Sequence, residues 1–401
     1  MRKTAMAAVG LLVMTGLLTG CEGEHAEETV SKQVEKTAEE EKIQEDSSKE
    51  EQQPSEESEE NLQESSEISK ESPKDSEENP ENEIEEEHKE ELALIDASVP
   101  IEAGVHIAVV SKGTTGEFWG EVKSGMQSAV DAVNEVYGFA KSDRITMNFE
   151  GSENEMDTAT QVNTLDAVIA ENPDVICISV GDMSSCQAQL EAAYENGIPV
   201  VVFDSNVSES ELVAAYRATD NAAVGRIAAQ HLAEAMEETG AVAIFSAPEK
   251  SESVCQRRDG FLNVLENYPD MEVVEIIYQD QEEDMKSAMQ SVIVEHPELQ
   301  GIYCTSAVVA DMYLELGEIL ESRNLALVGV DATTSQQEAI RNGQEIGVVS
   351  QNPHRMGFET IWTALLLTIS EETEVEVNKL LEPAWIDLEN IDEEENGKYL
   401  Y

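Results

Sequence analysis

Nine short runs rich in valine and isoleucine alternate with longer amphipathic stretches from Val105 onward, and this alternation constrains the fold most. Each run has the length and composition of a parallel strand that is buried on both faces. The runs are Val105–Val110, Ile145–Phe149, Val175–Val180, Pro199–Phe203, Val242–Phe245, Val273–Tyr278, Gly301–Cys304, Leu325–Val330 and Ile346–Val349. Helical periodicity covers Phe118–Tyr137, Met156–Ala170, Cys186–Asn196, Ala222–Glu238 and Glu282–Glu295.

Strand–helix alternation repeated this often predicts an α/β fold with parallel, doubly wound sheets. Nine strands are more than one such sheet usually holds. We therefore expect two Rossmann-like lobes, each with its own parallel sheet.

The first residues have the layout of a secretory signal. Arg2 and Lys3 precede an almost entirely apolar run, Ala5–Leu18, which ends in Leu18-Thr19-Gly20-Cys21. This ending resembles the lipobox of bacterial lipoproteins, which implies that residues 1–20 are removed and that the sulfur of Cys21 carries a lipid. A transmembrane helix is disfavoured because the run is shorter than the roughly 20 residues that cross a bilayer. We expect the protein to be lipid-anchored at the cell membrane, facing outside the cytoplasm.

Residues 21–97 are predicted to be an acidic, disordered tether. Between Glu22 and Asp96 the chain is dominated by glutamate, serine and other polar residues, and it contains no aromatic residue. Such a segment buries too little apolar surface to offset the entropy of ordering. The whole chain has a formal net charge of -61, which repels phosphate backbones, so we expect no nucleic-acid partner.

Motifs for nucleotide, metal or nucleophile chemistry are missing from the sequence. It contains no GxxxxGK[ST], GxGxxG, HExxH or GxSxG pattern, so we expect no cofactor, no metal and no catalytic residue. Beyond Cys21, the cysteines Cys177, Cys186, Cys255 and Cys304 are too widely spaced for a zinc site, and we expect buried thiols. A disulfide between Cys177 and Cys186 is the alternative.

Polar and aromatic residues follow several of the predicted strands. The segments are Ser111–Trp119, Asp204–Asn206, Asp331–Thr333 and Ser350–Pro353, and Gln256–Phe261 stands ahead of a predicted helix. In open α/β sheets, ligands bind at the carboxyl ends of the strands. Aromatic faces pack on apolar C–H surfaces and planar polar groups reach vicinal hydroxyls, so these segments predict a pocket for a small sugar or polyol.

The region from Val105 onward resembles the ribose-binding-like, type I sugar-binding proteins of ABC importers. The matching stretches, in the family's order, are Val109–Trp119, Gly197–Asp204, Ala218–Asn221, Arg257–Phe261, Val328–Asp331 and Gln351–Pro353. The resemblance implies two lobes joined by a three-strand hinge, with crossings near Thr219, Gln351 and Pro383. It implies a first lobe of residues 98–219 and 352–383, and a second lobe of residues 220–351 and 384–401.

The resemblance also implies individual ligand-binding residues. The implied set is Phe118 and Trp119 as an aromatic sandwich, Asp204 and Asp331 as acceptors, Arg257 as a donor, Gln351 and Ser306 as polar contacts, and Asp280 as a further contact, with Gln281 as its alternative. The chain departs from ribose binders at Gly116, Ser205 and Ser306, where the family has longer polar side chains. All three departures imply a larger or differently substituted sugar than ribose.

The function implied is capture of a small sugar and its delivery to an ABC permease whose ATPase is a separate chain. We expect a monomer that closes around its ligand by a hinge motion. One alternative is a sensor that presents the ligand to a kinase or chemoreceptor. Another is a glycosidase with Asp204 and Asp331 as its carboxylate pair, which requires two carboxylates about 5–10 Å apart.

Overall fold

The computed structural model describes residues 89–317, 323–369 and 374–401. The predicted signal peptide, Cys21 and the tether up to residue 88 lie outside these residues. Within the described ranges, every helix is too short or too polar to cross a membrane.

Strands and helices alternate along the described chain. The strands are β1 (His106–Ser111), β2 (Thr146–Gly151), β3 (Val175–Ile178), β4 (Val200–Phe203), β5 (Ala215–Thr219), β6 (Gly240–Ser246), β7 (Met271–Tyr278), β8 (Leu299–Cys304), β9 (Ala326–Val330), β10 (Gly347–Ser350), β11 (Asn378–Leu381) and β12 (Ala384–Asp387). The helices are α1 (Glu117–Tyr137), α2 (Thr158–Glu171), α3 (Gln187–Glu195), α4 (Asn221–Ala235), α5 (Glu252–Leu265), α6 (Met285–Glu295), α7 (Ala307–Leu314), α8 (Thr334–Arg341) and α9 (Pro353–Leu367).

The strands form two six-stranded sheets, each of which is the centre of one lobe. The first sheet has the order β11-β5-β4-β3-β1-β2, and all its strand pairs are parallel. The second has the order β12-β10-β9-β8-β6-β7, and only β12 is antiparallel to its neighbour, β10. The chain passes between the sheets after β5, after β10 and between β11 and β12. The prediction of two parallel-sheet lobes joined by three crossings is confirmed.

All nine predicted strands are present, and the sequence missed three others. β5 has the sequence AYRAT and is fully buried, although it contains an arginine. The guanidinium of Arg217 is satisfied there, because it donates to Thr363 Oγ1 (2.8 Å) and to the carbonyl oxygens of Tyr216 and Glu376. β11 and β12 are short strands at the sheet edges, with weak hydrophobic patterns. Gln256–Phe261, expected ahead of a helix, lies inside α5.

Residues 89–101 form an N-terminal segment that packs on the first lobe. Residues 89–94 are helical, and Ile95 is buried in the same core cluster as Val133 of α1. The hydroxyl of Tyr137 donates to the carbonyl oxygens of Asp96 (3.0 Å) and Val99 (2.6 Å). Packing against this lobe therefore begins before residue 98, where the sequence analysis placed its start.

Each lobe contains a pair of helices whose backbones approach each other closely at a glycine. In the first lobe, a Cβ on Gly125 of α1 would lie 1.8 Å from the carbonyl oxygen of His354, near the start of α9. In the second lobe, a Cβ on Gly225 of α4 would lie 1.9 Å from the carbonyl oxygen of Arg257 in α5. Any larger residue forces these backbones apart, so the glycines set the spacing of the helices.

Cys177, Cys186, Cys255 and Cys304 are free thiols, and all but the half-buried Cys255 are buried. The alternative of a Cys177–Cys186 disulfide is therefore not realised in this structure.

Glu345 is a buried carboxyl group behind the second sheet, and only 1% of it is exposed. Its carboxyl oxygens make no well-aligned hydrogen bond to the described residues, although the Gln336 side chain and the Gly329 backbone lie nearby. Burial raises the pKa of Glu345 well above its usual range, and the charge of Asp311 acts in the same direction. The folded protein therefore holds this group in its neutral form over a wider pH range than the unfolded chain does.

We expect Glu345→Gln to raise the melting temperature at neutral pH, with a gain that grows as the pH rises. Above about pH 4.5 the unfolded carboxyl ionises while the folded one stays protonated, so the unfolded state binds fewer protons and stability falls. The slope is at most about 1.4 kcal/mol per pH unit for one group. Thermal melts of both proteins from pH 4 to pH 8 measure it, with the exposed Glu272→Gln as control. A pH-independent difference would contradict the prediction.

Candidate ligand-binding cleft

A cavity of about 750 Å³ lies between the two lobes, at the carboxyl ends of their strands. This volume falls within the usual range for small-molecule sites, roughly 300–1,000 Å³. Seven of the eight predicted ligand-binding residues line it: Phe118, Trp119, Asp204, Arg257, Ser306, Asp331 and Gln351.

Asp204 directly follows β4 and is 3% exposed. Its φ is 58°, a left-handed conformation that non-glycine residues seldom adopt and that concentrates at functional sites. Its Oδ2 accepts from Lys112 Nζ (2.8 Å) and from Ser179 Oγ (3.0 Å). Its Oδ1 receives no hydrogen bond from the described residues, so one carboxylate oxygen remains available to a ligand.

Asp331 has the equivalent position after β9 in the second lobe, and its φ is also positive, at 83°. Oδ1 accepts from Gln351 Nε2 (2.6 Å) and Tyr401 Oη (2.8 Å), and Oδ2 accepts from the Ala307 backbone N–H (3.0 Å). Burial first, and then the charge of Asp331, raise the pKa of Tyr401 well above its usual range. The Tyr401 hydroxyl is therefore a donor at neutral pH. Asp331 has at most one lone pair left for a ligand.

Gln351 links this cluster to the hinge. While Nε2 donates to Asp331, its Oε1 accepts from Thr219 Oγ1 (2.8 Å) at the end of β5. Two of the three chain crossings are thus joined by one buried amide.

Arg257 projects from α5 and is 4% exposed. Nε donates to Asn221 Oδ1 (2.7 Å) and Nη1 donates to the Thr305 carbonyl oxygen (2.9 Å), but Nη2 has no partner among the described residues. No described carboxylate lies within ion-pairing distance of this guanidinium. Because burying an unpaired polar N–H is costly, the free donors favour a ligand with acceptor oxygens.

Two aromatic rings form the first-lobe wall. Phe118 and Trp119 meet edge to face, with centroids 5.0 Å apart. Trp119 is 3% exposed and its indole N–H donates to Glu155 Oε1 (2.7 Å), so it is largely part of the core. Phe118 is half-buried and offers more ring surface to the cavity.

Asp280 does not join the others. Its side chain is exposed, and Oδ1 accepts from the Glu249 backbone N–H (3.0 Å). The alternative, Gln281, is also exposed and donates to Glu249 Oε2 (2.8 Å). Gln279 lines the cavity instead, because β7 ends one residue before it. We therefore replace Asp280 by Gln279 in the candidate set.

Residues that the sequence analysis did not single out also shape the cleft. Lys112 and Glu155 line it, and Tyr401, which does not line it, donates a hydrogen bond to Asp331. The position of Lys112, directly after β1, was the available signal, whereas nothing in the local sequence near Tyr401 indicates its role. The described residues contain no group of three or more histidine, cysteine, aspartate or glutamate side chains placed to hold a metal ion.

Direct contacts join the lobes on both sides of the cleft. Glu117 at the start of α1 accepts from the backbone N–H (2.9 Å) and the hydroxyl (2.8 Å) of Thr334 at the start of α8. On the other side, Ser205 Oγ and Ser251 Oγ are 3.0 Å apart, and both serines are buried. The conformation described is therefore a closed one.

Comparison with protein families now identifies the fold. The model of the periplasmic binding protein domain matches residues 107–372, which include parts of both lobes and two of the three chain crossings. The chain belongs to this family. Proteins of the periplasmic binding protein family act outside the cytoplasm.

Individual relatives are sugar-binding proteins. The ribose import binding protein of Escherichia coli strain K12 is 20% identical over 267 residues, which cover 64% of this chain and 83% of the relative. A solved ABC transporter solute-binding protein from Agrobacterium vitis, with bound D-fucose, is 25% identical with a TM-score of 0.66. The match covers 74% of this chain and 100% of that one. A second from the same organism, bound to α-D-tagatopyranose, has a TM-score of 0.67 at 23% identity and covers 74% and 99%.

The fold is that of type I periplasmic binding proteins, and the chain is a member of the periplasmic binding protein family. It is a binding protein and not an enzyme. The glycosidase alternative is therefore wrong, in keeping with the internal hydrogen bonds that already occupy most of Asp331.

Proposed function

We propose that this protein captures a small neutral sugar or polyol in the cleft and delivers it to an ABC permease whose ATPase is a separate chain. One observation carries the proposal: unused donors and unused acceptors lie on opposite walls of the same cavity. Asp204 Oδ1 is a free acceptor on the first lobe, and Arg257 Nη2 is a free donor on the second.

A polyhydroxylated ligand fits this arrangement because each hydroxyl group both donates and accepts. Asp204 has about two free lone pairs and Asp331 about one, which suits ligand hydroxyls. Arg257 has about three N–H groups left and Gln351 about one, which suits hydroxyl, ring or glycosidic oxygens. The half-buried ring of Phe118 supplies an apolar face for the C–H side of a sugar.

We propose that the preferred sugar is larger than ribose or carries an extra substituent. A Cβ added at Gly116 would meet no atom within 4 Å, so this part of the cleft wall leaves space. Ser205 is turned into the contact with Ser251 and leaves no long polar arm in the cleft. Ser306 Oγ is buried without a partner among the described residues, which favours a contact with ligand.

We further propose the ligand set Phe118, Trp119, Asp204, Arg257, Gln279, Ser306, Asp331 and Gln351. The proposed tether is shortened to residues 21–88, because residues 89–97 pack on the first lobe. The anchoring through Cys21, the lobe boundaries near residues 219, 351 and 383, and the monomeric state remain proposals as well. Their common consequence is a single ligand-binding unit held outside the membrane by the lipid on its N-terminal cysteine.

Thermal melts of the purified full chain against a panel of sugars test the function. The panel holds pentoses, hexoses, disaccharides, polyols, uronic acids and sugar phosphates. A ligand that binds only the folded state stabilises it by about 2.7 kcal/mol at 100 times its dissociation constant, so a true ligand raises the melting temperature. We expect neutral sugars alone to do so. Stabilisation only by uronic acids or sugar phosphates, or by no compound, would refute the proposal.

A further inference from the structure

Lys112 is a buried ammonium group inside the cleft, and the function proposed so far does not use it. It is 7% exposed and lines the cavity. Its Nζ lies 2.8 Å from Asp204 Oδ2 and 3.8 Å from Glu155 Oε2, and 5.8 Å from the centre of the Trp119 ring. A charged side chain is seldom buried to this extent unless it is paired, and here the first lobe supplies the partner.

The ammonium group stays protonated. Burial alone would lower the pKa of Lys112, but the charges of Asp204 and then Glu155 outweigh it, and the pKa is raised. Lys112 is therefore a hydrogen-bond donor at every physiological pH and not a nucleophile. A protonated lysine has three N–H bonds.

Two of these three bonds have partners in the protein. One reaches Asp204 Oδ2, and a second reaches Ser251 Oγ of the second lobe at 3.5 Å. Glu155, at 3.8 Å, is beyond hydrogen-bond distance. The third N–H makes no hydrogen bond to the described residues, with Glu155 only at ion-pairing distance, and Lys112 lines the cavity.

Lys112 also connects the walls of the cleft. Ser251 lies 3.0 Å from Ser205 Oγ and 3.1 Å from Ser253 Oγ, and all three serines are buried. Ser251 immediately precedes α5, the helix that carries Arg257. The ammonium group thus fixes the free acceptor of the first lobe relative to the free donor of the second.

We infer that Lys112 is a specificity-determining residue that contacts the ligand directly. It forms, with Asp204, an adjacent donor and acceptor for two neighbouring ligand oxygens, as in a vicinal diol. This inference rests on the proposed function. The alternative role for Lys112 is to act only as the counter-ion of Asp204. That role would require neither a third donor nor a place in the cavity wall.

A double-mutant cycle separates the two roles. We measure the affinity of the full chain, Lys112→Met, Asp204→Asn and the double variant for D-fucose, D-arabinose and D-ribose by titration calorimetry. A direct contact predicts that Lys112→Met weakens binding by about tenfold or more, as for a hydrogen bond from a charged donor. It also predicts that a loss of about threefold or more persists when Asp204 is already asparagine. No loss in that background would overturn the inference.

Two controls keep the test decisive. Lys123→Met removes an exposed lysine of α1 that lies over the Phe149 ring of its own lobe and does not line the cavity, so we expect unchanged affinity. Lys112→Arg retains the charge and shows, through its melting temperature, whether the site tolerates substitution. Wild-type affinity in Lys112→Met would overturn the inference and leave the proposed function intact. No binding of the three sugars or the wider panel by the unmutated chain would overturn both.

Discussion

Arg257→Ala is expected to weaken sugar binding by about 100-fold or more while the protein stays folded. Each hydrogen bond from a charged donor contributes roughly 1.5–3 kcal/mol, and about 1.4 kcal/mol corresponds to a factor of ten in affinity. The guanidinium is buried and has donors without protein partners, so two bonds to ligand oxygens account for the expected loss. Titration calorimetry with the sugar that most raises the melting temperature measures the effect.

The neighbouring arginine provides a matched control. Arg258 is on the same helix, but it pairs with Asp259 (2.8 Å) and donates to Tyr278 Oη (2.8 Å) away from the cavity. We expect Arg258→Ala to lower stability slightly and to leave affinity within about twofold, as for surface substitutions away from a site. Equal losses of affinity in both variants would contradict the prediction. They would mean that any substitution in α5 disturbs the site, and that the Arg257 side chain makes no specific contact with the ligand.

Gly225→Ala is expected to destabilise the second lobe by about 3 kcal/mol or more. The added methyl group would lie 1.9 Å from the Arg257 carbonyl oxygen and 2.7 Å from the Phe261 backbone nitrogen. Both are backbone atoms, so α4 and α5 must separate, and overpacking of this kind costs roughly 1–3 kcal/mol or more. Because α5 carries Arg257, the same shift should reduce affinity. Denaturant unfolding measures the first effect and calorimetry the second.

Gly120→Ala controls for the effect of replacing glycine by alanine in a helix where no clash results. Gly120 is exposed in α1, and a Cβ there would meet no atom within 4 Å. Alanine favours a helix over glycine by roughly 0.5–1 kcal/mol, so this variant should be slightly more stable. A Gly225→Ala protein as stable as the unmutated chain would show that the two helices need no close contact.

The sequence predicted the architecture well because buried parallel strands carry a local signal. Runs such as Val175–Val180 and Leu325–Val330 consist mostly of valine, isoleucine and leucine, and they appear as β3 and β9. β5 was missed because its burial depends on Arg217, whose partners are residues far along the chain. Edge strands such as β11 need little hydrophobicity, so their pattern is weak.

The candidate cleft was predicted in outline and not in its internal bonding. Acids at strand ends, such as Asp204 and Asp331, line the cavity together because the strands of each sheet end at one edge and the cavity lies between these two edges. β7 ends at Tyr278 as predicted, but the resemblance placed the ligand contact two residues beyond that end, at Asp280, whereas Gln279 directly after the strand lines the cavity. The Tyr401–Asp331 bond joins residues 70 positions apart and leaves no local pattern.

The packing of residues 89–101 on the first lobe determines which half of the molecule bears a load. A pull on the N-terminal part of the described chain acts first on the first lobe, because Ile95 is buried in the core of that lobe. We therefore expect tension along the proposed tether to act on the first lobe, and affinity for the ligand to change little with the extension of that segment.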